Sequence, residues 1–392
     1  MAKISSICSR VCSGGTPKST ENSYYGGTIP WLNTKEIDFN VIESTEKTIT
    51  EAGLNNSSAK WVEAPSVIVA MYGATAGKVA ISNIRLTTNQ ACCNLNIDSE
   101  KADHRFVYYA LKNDYIRLSS MANGGAQQNL NAQQIKDFEI PDFDLSEQKR
   151  IAAILSSLEE KIETNRKINA RLEELAQALF KSWFIDFEPF GGKMPEEWEE
   201  LALSDIGDII GGATPSKDNP SYYTYAGNGI AWLTPKDLSE TKAKFTGRGS
   251  EDITSLGYRK CSAKIMPAGS ILFSSRAPIG YVSITLNEIC TNQGFKSFVP
   301  KKVGTAFAYY LLKSLTPEIE NKSTGSTFKE ASGSLMKSLR VILPDKDILC
   351  KFEEVCSPVF NLQRDYEKES SRLAALRDAL LPKLMSGELI PE

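Results

Sequence analysis

"FVYYALK" at Phe106–Lys112 returns as "FAYYLLK" at Phe307–Lys313, 201 residues later. Each copy carries apolar residues, a tyrosine pair and a closing lysine, the pattern of an amphipathic helix. Working outward, "YGATAGKVAI" at Tyr72 is answered by "SRAPIGYVSI" at Ser275, and "TTNQA" around Asn89 by "CTNQG" around Asn292, both 203 residues apart. Trp31 and Trp232 are 201 apart, Pro17 and Pro215 198 apart. So many matches in one order mean a duplicated domain. A repeat of about 200 residues is too long for a solenoid, so each copy needs its own core. Short apolar runs such as Val67–Met71 and Ser270–Phe273, bounded by glycine, read as strands, which makes each copy α+β. Trp31 and Trp232, inside "IPWL" and "IAWL", are assigned to those cores.

After each copy the pattern changes to a seven-residue period. Ile151, Leu158, Asn165, Leu172 and Leu179 form one stripe, with Leu155, Ile162, Asn169 and Ala176 beside it. Phe352, Val359, Tyr366, Leu373 and Leu380 form the second, with Val355, Leu362 and Leu376 between them. About 35 residues rising 1.5 Å each make a rod of roughly 50 Å, longer than one domain covers. The stripes are therefore expected to pair as a coiled-coil seam, antiparallel by connectivity. Pro358 is expected to start or kink the second helix. Asn165 and Asn169 either set the register as buried amides or face solvent.

The net charge of −3 argues against indiscriminate polyanion binding, but a global sum can hide a local field. Residues 1–144 hold 13 basic against 15 acidic side chains and residues 199–345 hold 17 against 14, which neither requires nor excludes a nucleic-acid partner. A hydrophobic share of 41% and a charged share of 24% fit a globular protein. No apolar run approaches the roughly 18 residues that span a bilayer, and Met1-Ala2-Lys3-Ile4 lacks a signal-peptide core, so a cytoplasmic location without membrane contact is expected. Eight cysteines form no C-x2-C pair, and His104 is the only histidine, so reduced thiols and no metal site are expected. "DNPSY" at Asp218 departs from the NPPY-type base-holding motif at Ser221. "GATAGKV" at Gly73 has three residues between its glycines and Val79 after its lysine, which is not a phosphate loop. No catalytic site is expected.

"SEQKRIAAILSSLEEKIETNRKINARLEELAQALFKSWFIDFEPF" from Ser146 and "LLPKLMSGEL" from Leu380 resemble the conserved regions of the specificity subunits of type I restriction-modification systems. The resemblance covers essentially the whole chain. It implies a target-recognition domain at 1–144, a central conserved long helix at 145–190, a second target-recognition domain at 191–345 and a C-terminal conserved long helix at 346–392. The fold class is then α+β: two duplicated α/β target-recognition domains separated by a long antiparallel two-helix coiled coil, with pseudo-two-fold symmetry. What this implies is a non-catalytic reader of a bipartite, asymmetric double-stranded DNA target. Two modification (methyltransferase) subunits and restriction subunits would dock on it, with S-adenosylmethionine, ATP and Mg confined to those partners and no cofactor in this chain. A 50 Å rod would set the half-sites roughly 15 base pairs apart. The second helix carries Pro358 and the first has no counterpart, which puts identical docking faces in doubt. Two other readings are a coiled-coil adaptor binding proteins through related end domains, and a stand-alone DNA methyltransferase.

For a DNA reader, lysine and arginine would neutralise phosphates while Asn, Gln, Arg and Lys read base edges. In the first domain the polar loops offer Thr16, Lys18, Tyr24, Tyr25, Lys78, Asn89, Gln90, Gln127, Gln128 and Asn129. The second offers Lys217, Tyr222, Tyr223, Lys236, Arg276, Asn292, Gln293 and Lys329. A hairpin tip is expected to present Thr75 and Lys78, matched by Ser274, Ser275 and Arg276. The shared "TNQ" context equally fits a structural turn. A discriminating residue should differ between copies, as Gln127-Gln128 and Thr327-Phe328 do.

Overall fold

The computed structural model describes residues 1–122, 129–324 and 329–390. The chain divides into two compact units, Met1–Glu163 with Ser371–Glu392, and Thr164–Ser370. Two long helices, Leu145–Phe184 and Lys346–Ser386, each contribute a segment to both units.

In unit 1, a five-stranded sheet runs in the order Cys8–Ser13, Cys92–Ile97, Ser66–Ala70, Val79–Ser82, Val41–Ile42, antiparallel except for its last pair. A four-stranded sheet runs Lys47–Ile49, Tyr25–Leu32, Leu86–Thr88, Trp61–Val62, with Tyr25–Leu32 and Leu86–Thr88 parallel. Ser66–Ala70 is buried along its whole length, as a strand covered on both faces must be. Unit 2 repeats the plan. Its five-stranded sheet runs Gly207–Gly211, Lys296–Pro300, Ile271–Ser275, Ile279–Thr285, Phe245–Thr246; its four-stranded sheet runs Tyr223–Tyr225, Glu251–Ile253, Ile230–Leu233, Cys290–Thr291. Each copy is α+β, and Trp31 and Trp232 are both buried.

The helix His104–Asn113 of unit 1 shares a core with Val67, Val69 and Leu95 of the larger sheet, with Ile151, Ala152 and Leu155 of the first long helix, and with Leu381, Leu384 and Met385 of the second. In unit 2 the helix Thr305–Lys322 shares a core with Ile271, Phe273 and Phe298, with Ala176, Phe180 and Phe184, and with Phe352, Cys356 and Phe360. Each unit is thus completed by segments of both helices. The antiparallel sense is visible within unit 2, where Asn165 Nδ2 donates to Glu369 Oε2 (2.7 Å) and Asn169 Nδ2 to the Gln363 carbonyl (3.1 Å).

The second helix buries Phe352 at the head of its predicted stripe, but the residues expected beside that stripe turn outward. Val355 (45% exposed), Leu362 (47%) and Leu376 (47%) lie outside, whereas Cys356, Gln363 and Leu384 are buried. Leu362 and Leu376 are therefore corrected from seam to surface. The inner face carries polar groups hydrogen-bonded to other elements: Gln363 Oε1 accepts from Lys244 Nζ (2.8 Å), and the Nδ2 of fully buried Asn165 donates to Glu369. Ile151 is buried, and Leu158, Leu172, Leu179, Val359, Tyr366, Leu373 and Leu380 are half-buried. Pro358 does not start the second helix, which begins at Lys346 and continues past it. Phe352, Cys356 and Phe360, one turn apart, bury the face on which that continuation packs.

Candidate nucleic-acid interface

Beside the smaller sheet, both units build the same loop from the same hydrogen bonds. Trp31 Nε1 donates to the Gly15 carbonyl (2.9 Å) and Trp232 Nε1 to that of Ala213 (3.1 Å). Tyr25 Oη donates to the Pro17 carbonyl (2.7 Å) and Tyr223 Oη to that of Pro215 (2.6 Å). Burial pushes the Tyr223 hydroxyl pKa up, so it remains a donor. The Thr16 hydroxyl donates to Gln90 Oε1, and the Thr214 hydroxyl to Gln293 Oε1. Asn89 Oδ1 accepts from the Ala91 N–H (3.1 Å), and Asn292 Oδ1 from the Gly294 N–H (2.9 Å). A Cβ on Gly14 or Gly212 would come within 2.1 Å of the Thr88 carbonyl or 2.0 Å of the Asn292 carbonyl, so only glycine lets the loop lie on this turn.

The structure therefore gives Thr16, Tyr25, Asn89, Gln90, Tyr223, Asn292 and Gln293 a common duty, which is to hold the loop. The "TNQ" segment forms a turn in both copies, with the Gln90 and Gln293 side chains at the surface. On this frame Lys18 and Lys217 are exposed while Tyr24 and Tyr222 are half-buried. Lys236 is exposed, with Glu240 at 3.6 Å.

At the hairpin of the larger sheet the copies diverge. Lys78 is half-buried against Asp38 (2.6 Å), and Thr75 is half-buried as well. Ser274 and Ser275 are not presented at all. Both are fully buried, the Ser274 hydroxyl donating to the Pro278 carbonyl (2.8 Å) and that of Ser275 to the Gly294 carbonyl (3.1 Å). Arg276 is half-buried with Glu330 at 3.6 Å. Lys329 Nζ donates to the Glu320 carbonyl (3.3 Å), beside an open cavity of about 270 Å³ lined also by Ala277, Pro278 and Ile279. Asn129 is exposed and bridges to Tyr72. Gln127, Gln128, Thr327 and Phe328 lie outside the described residues.

One feature escaped the sequence reading. In unit 1, Tyr25 and Ile29 both stand opposite Ile49; in unit 2, Tyr223 and Ile230 both stand opposite Ile253. The connection across the strand end is three residues longer in unit 2, which is why the copy-to-copy spacing steps from 198 to 201 between the prolines and the tryptophans. The extra residues leave Tyr225 85% exposed. Asp252, buried beneath them, accepts from the N–H groups of Gly227 and Gly229 (2.9 Å each) and from Arg248.

Among the described residues no cluster of His, Cys, Asp or Glu could hold a metal ion, and no helix is long and apolar enough to cross a membrane. The cysteines are unpaired, and burial pushes the thiols of Cys93, Cys290 and Cys356 up to about 12.

Comparison with known proteins agrees with this architecture. The family model described as type I restriction modification DNA specificity domain matches residues 1–174 and again 195–355. The MjaIX specificity subunit of a type I restriction enzyme from Methanocaldococcus jannaschii is 29% identical, over 97% of this chain and 91% of its own length. The HindI specificity subunit from Haemophilus influenzae is 28% identical, over 70% of this chain and 74% of its own. The crystal structure of a type I restriction-modification S subunit from M. genitalium superposes with a TM-score of 0.65 at 20% identity, covering 100% of this chain and 96% of that one, which shows a shared fold. The twofold match to one family model, on two units built around the same loop, places the chain in the type I restriction modification DNA specificity family, as a DNA sequence-recognition subunit.

Proposed function

We propose that each unit reads one half of a bipartite, asymmetric duplex target, with residues 1–144 and 191–345 as the recognition domains and 145–190 and 346–392 as helical spacers. The observation that carries this reading is the contrast between a hydrogen-bonded frame common to both copies and exposed loops that differ. Identical frames give each unit the same way of approaching a duplex; unlike loops give each a different base preference. Lys18 and Lys217, exposed on the shared loop, are the candidates for phosphate contact, and Tyr24, Tyr222, Lys236, Arg276, Asn129 and Lys329 are further candidates within their own units. Modification subunits, two per chain, dock on the helices, where Val355, Leu362 and Leu376 leave apolar side chains outside. Restriction subunits complete the assembly. S-adenosylmethionine, ATP and Mg act in those partners, and the complex works in the cytoplasm.

The test is an exchange. Residues 191–345 replaced by the same region of a relative, in a chain assembled with its modification subunits, should alter one half of the methylated motif and leave the other intact. An unchanged motif would overturn the assignment. Salt separates this reading from a protein adaptor: duplex affinity should fall steeply as salt rises, because each phosphate contact releases counterions. The chain alone should bind no S-adenosylmethionine, which distinguishes it from a methyltransferase.

A further inference from the structure

We propose that the Tyr225 connection of unit 2 is a reading element for one half-site only, in which the tyrosine ring lies against base or sugar of the duplex. The proposal rests on the DNA-reading function above and goes beyond it by naming an element that one copy has and the other lacks. Unit 1 crosses the same strand end with Gly26 and Gly27, and nothing lies within 4 Å of where a Cβ on Gly26 would stand. A bare glycine backbone at that place can approach a ligand closely; an aromatic ring cannot, but offers a face to stack on.

The connection is a built support. The Asp252 side chain is fully buried, one oxygen holding the two glycine N–H groups and Arg248. Its other oxygen, Oδ1, is buried without a hydrogen-bond partner. Gly227 has φ +102°, and a Cβ on Gly229 would meet the Ile253 carbonyl at 2.6 Å, so neither position accepts another residue without strain. The equivalent of Asp252 in unit 1 is Thr48, a residue with no charge to pin such a turn. A buried carboxylate is costly unless its partners are well placed, and here they fix a loop whose outermost side chain covers nothing of its own fold. Exposed single apolar residues are ordinary on protein surfaces. An inserted, carboxylate-pinned one in a DNA-specificity domain is not. Tyr225 carries no charge, and Glu251 stands opposite it across the ladder, so the contact it makes is stacking rather than phosphate neutralisation.

That distinction sets the experiment. The full chain, assembled with its modification subunits, is supplied with a plasmid library of random duplex sequence, and the methylated positions are sequenced. The natural chain should yield a two-part motif; if it does not, the DNA-reading function itself falls. Given that motif, Tyr225→Ala should relax one half and leave the other unchanged. Affinity for a duplex bearing the motif should drop about tenfold, as loss of one stacked ring implies, with the same slope of log affinity against log salt. Tyr225→Phe should retain both. Because the ring is exposed, the thermal midpoint should not move. Both motif halves and the affinity unchanged in Tyr225→Ala would overturn the proposal while leaving the function standing, and so would an equal loss across both halves.

Discussion

The two units carry the same Tyr-Tyr-x-Leu-Lys motif and anchor it differently. In unit 1, Lys112 Nζ meets Glu159 Oε1 at 2.6 Å, Tyr109 Oη donates to Glu159 Oε2 (2.9 Å), and Arg377 lies 3.5 Å from the same carboxylate. In unit 2, Lys313 Nζ meets Glu173 Oε1 at 2.7 Å, Tyr310 Oη donates to Glu173 Oε2 (2.9 Å), and the third cation is Lys244 at 2.7 Å, its ammonium 3.6 Å from the centre of the Phe360 ring. Both carboxylates come from the first long helix. At the 201-residue offset, the second helix has Phe360 and Ala374 where the first has Glu159 and Glu173. The helices are therefore not interchangeable, although the domains they serve are copies. Helix starts differ too. Asp103 caps its own helix through the N–H groups of Arg105 and Phe106. Unit 2 has Gly304 there, and Glu353 of the second long helix reaches across to the N–H groups of Ala306 and Phe307. Unit 1 takes this cap from its own chain neighbour, and unit 2 takes it from the second long helix.

The largest test of that asymmetry is Glu173→Gln. Lys244, with only 7% of its side chain exposed, would be left with a weaker partner, and losing one member of a buried ion pair costs about 3–5 kcal/mol. Urea unfolding followed through the Trp198 and Trp232 signals should show it; Glu159→Gln should cost about 2 kcal/mol in unit 1. Equal losses would erase the distinction. Acid should discriminate in the same direction. Burial alone would raise the Glu173 carboxyl, but Lys244 and Lys313 outweigh it and hold it at about 2, against an ordinary 4.5. A carboxylate with a depressed folded value stabilises fully above its unfolded value, so this contribution is lost as pH falls from about 4.5 towards about 2. Glu173→Gln should flatten that pH dependence, and an unaltered acid transition would show that other groups set it.

Next in size is Glu353→Ala, expected to cost unit 2 about 1–2 kcal/mol by uncapping its helix; Gly304→Asp should recover part of this by supplying the local cap that unit 1 uses. Smallest is Lys217→Ala. If this exposed lysine meets a phosphate, the slope of log affinity against log salt should shrink by about one, with the methylated motif unchanged. Lys18→Ala should behave alike, since both lysines are exposed on the shared loop, one position apart.

Much of this was legible in the chain. The ordered matches gave the duplication, glycine-bounded apolar runs gave strands, and "IPWL" and "IAWL" placed both tryptophans in cores. The long helices announced themselves by period. The candidate interface was only half legible, because Thr16, Gln90 and Asn89 look the same in sequence whether they face a ligand or their own backbone. Ser274 and Ser275 were misplaced for a related reason: a hydroxyl that donates to a carbonyl in the fold is indistinguishable by type from an exposed one. The Tyr225 insertion did leave a trace, the three-residue step in spacing, which acquires meaning only once both connections are seen crossing the same strand end.

What the sequence determined by itself is therefore the architecture, since hydrophobic periodicity and internal matching are local properties that each copy repeats. Which face of the second helix turns inward, and from where each anchoring lysine draws its carboxylate, were decided only by the tertiary structure. The physical reason is that a polar side chain such as Gln363, Lys244 or Asp252 is buried when its partners are in place, and those partners stand up to 194 residues away, as the Asn169–Gln363 pair does.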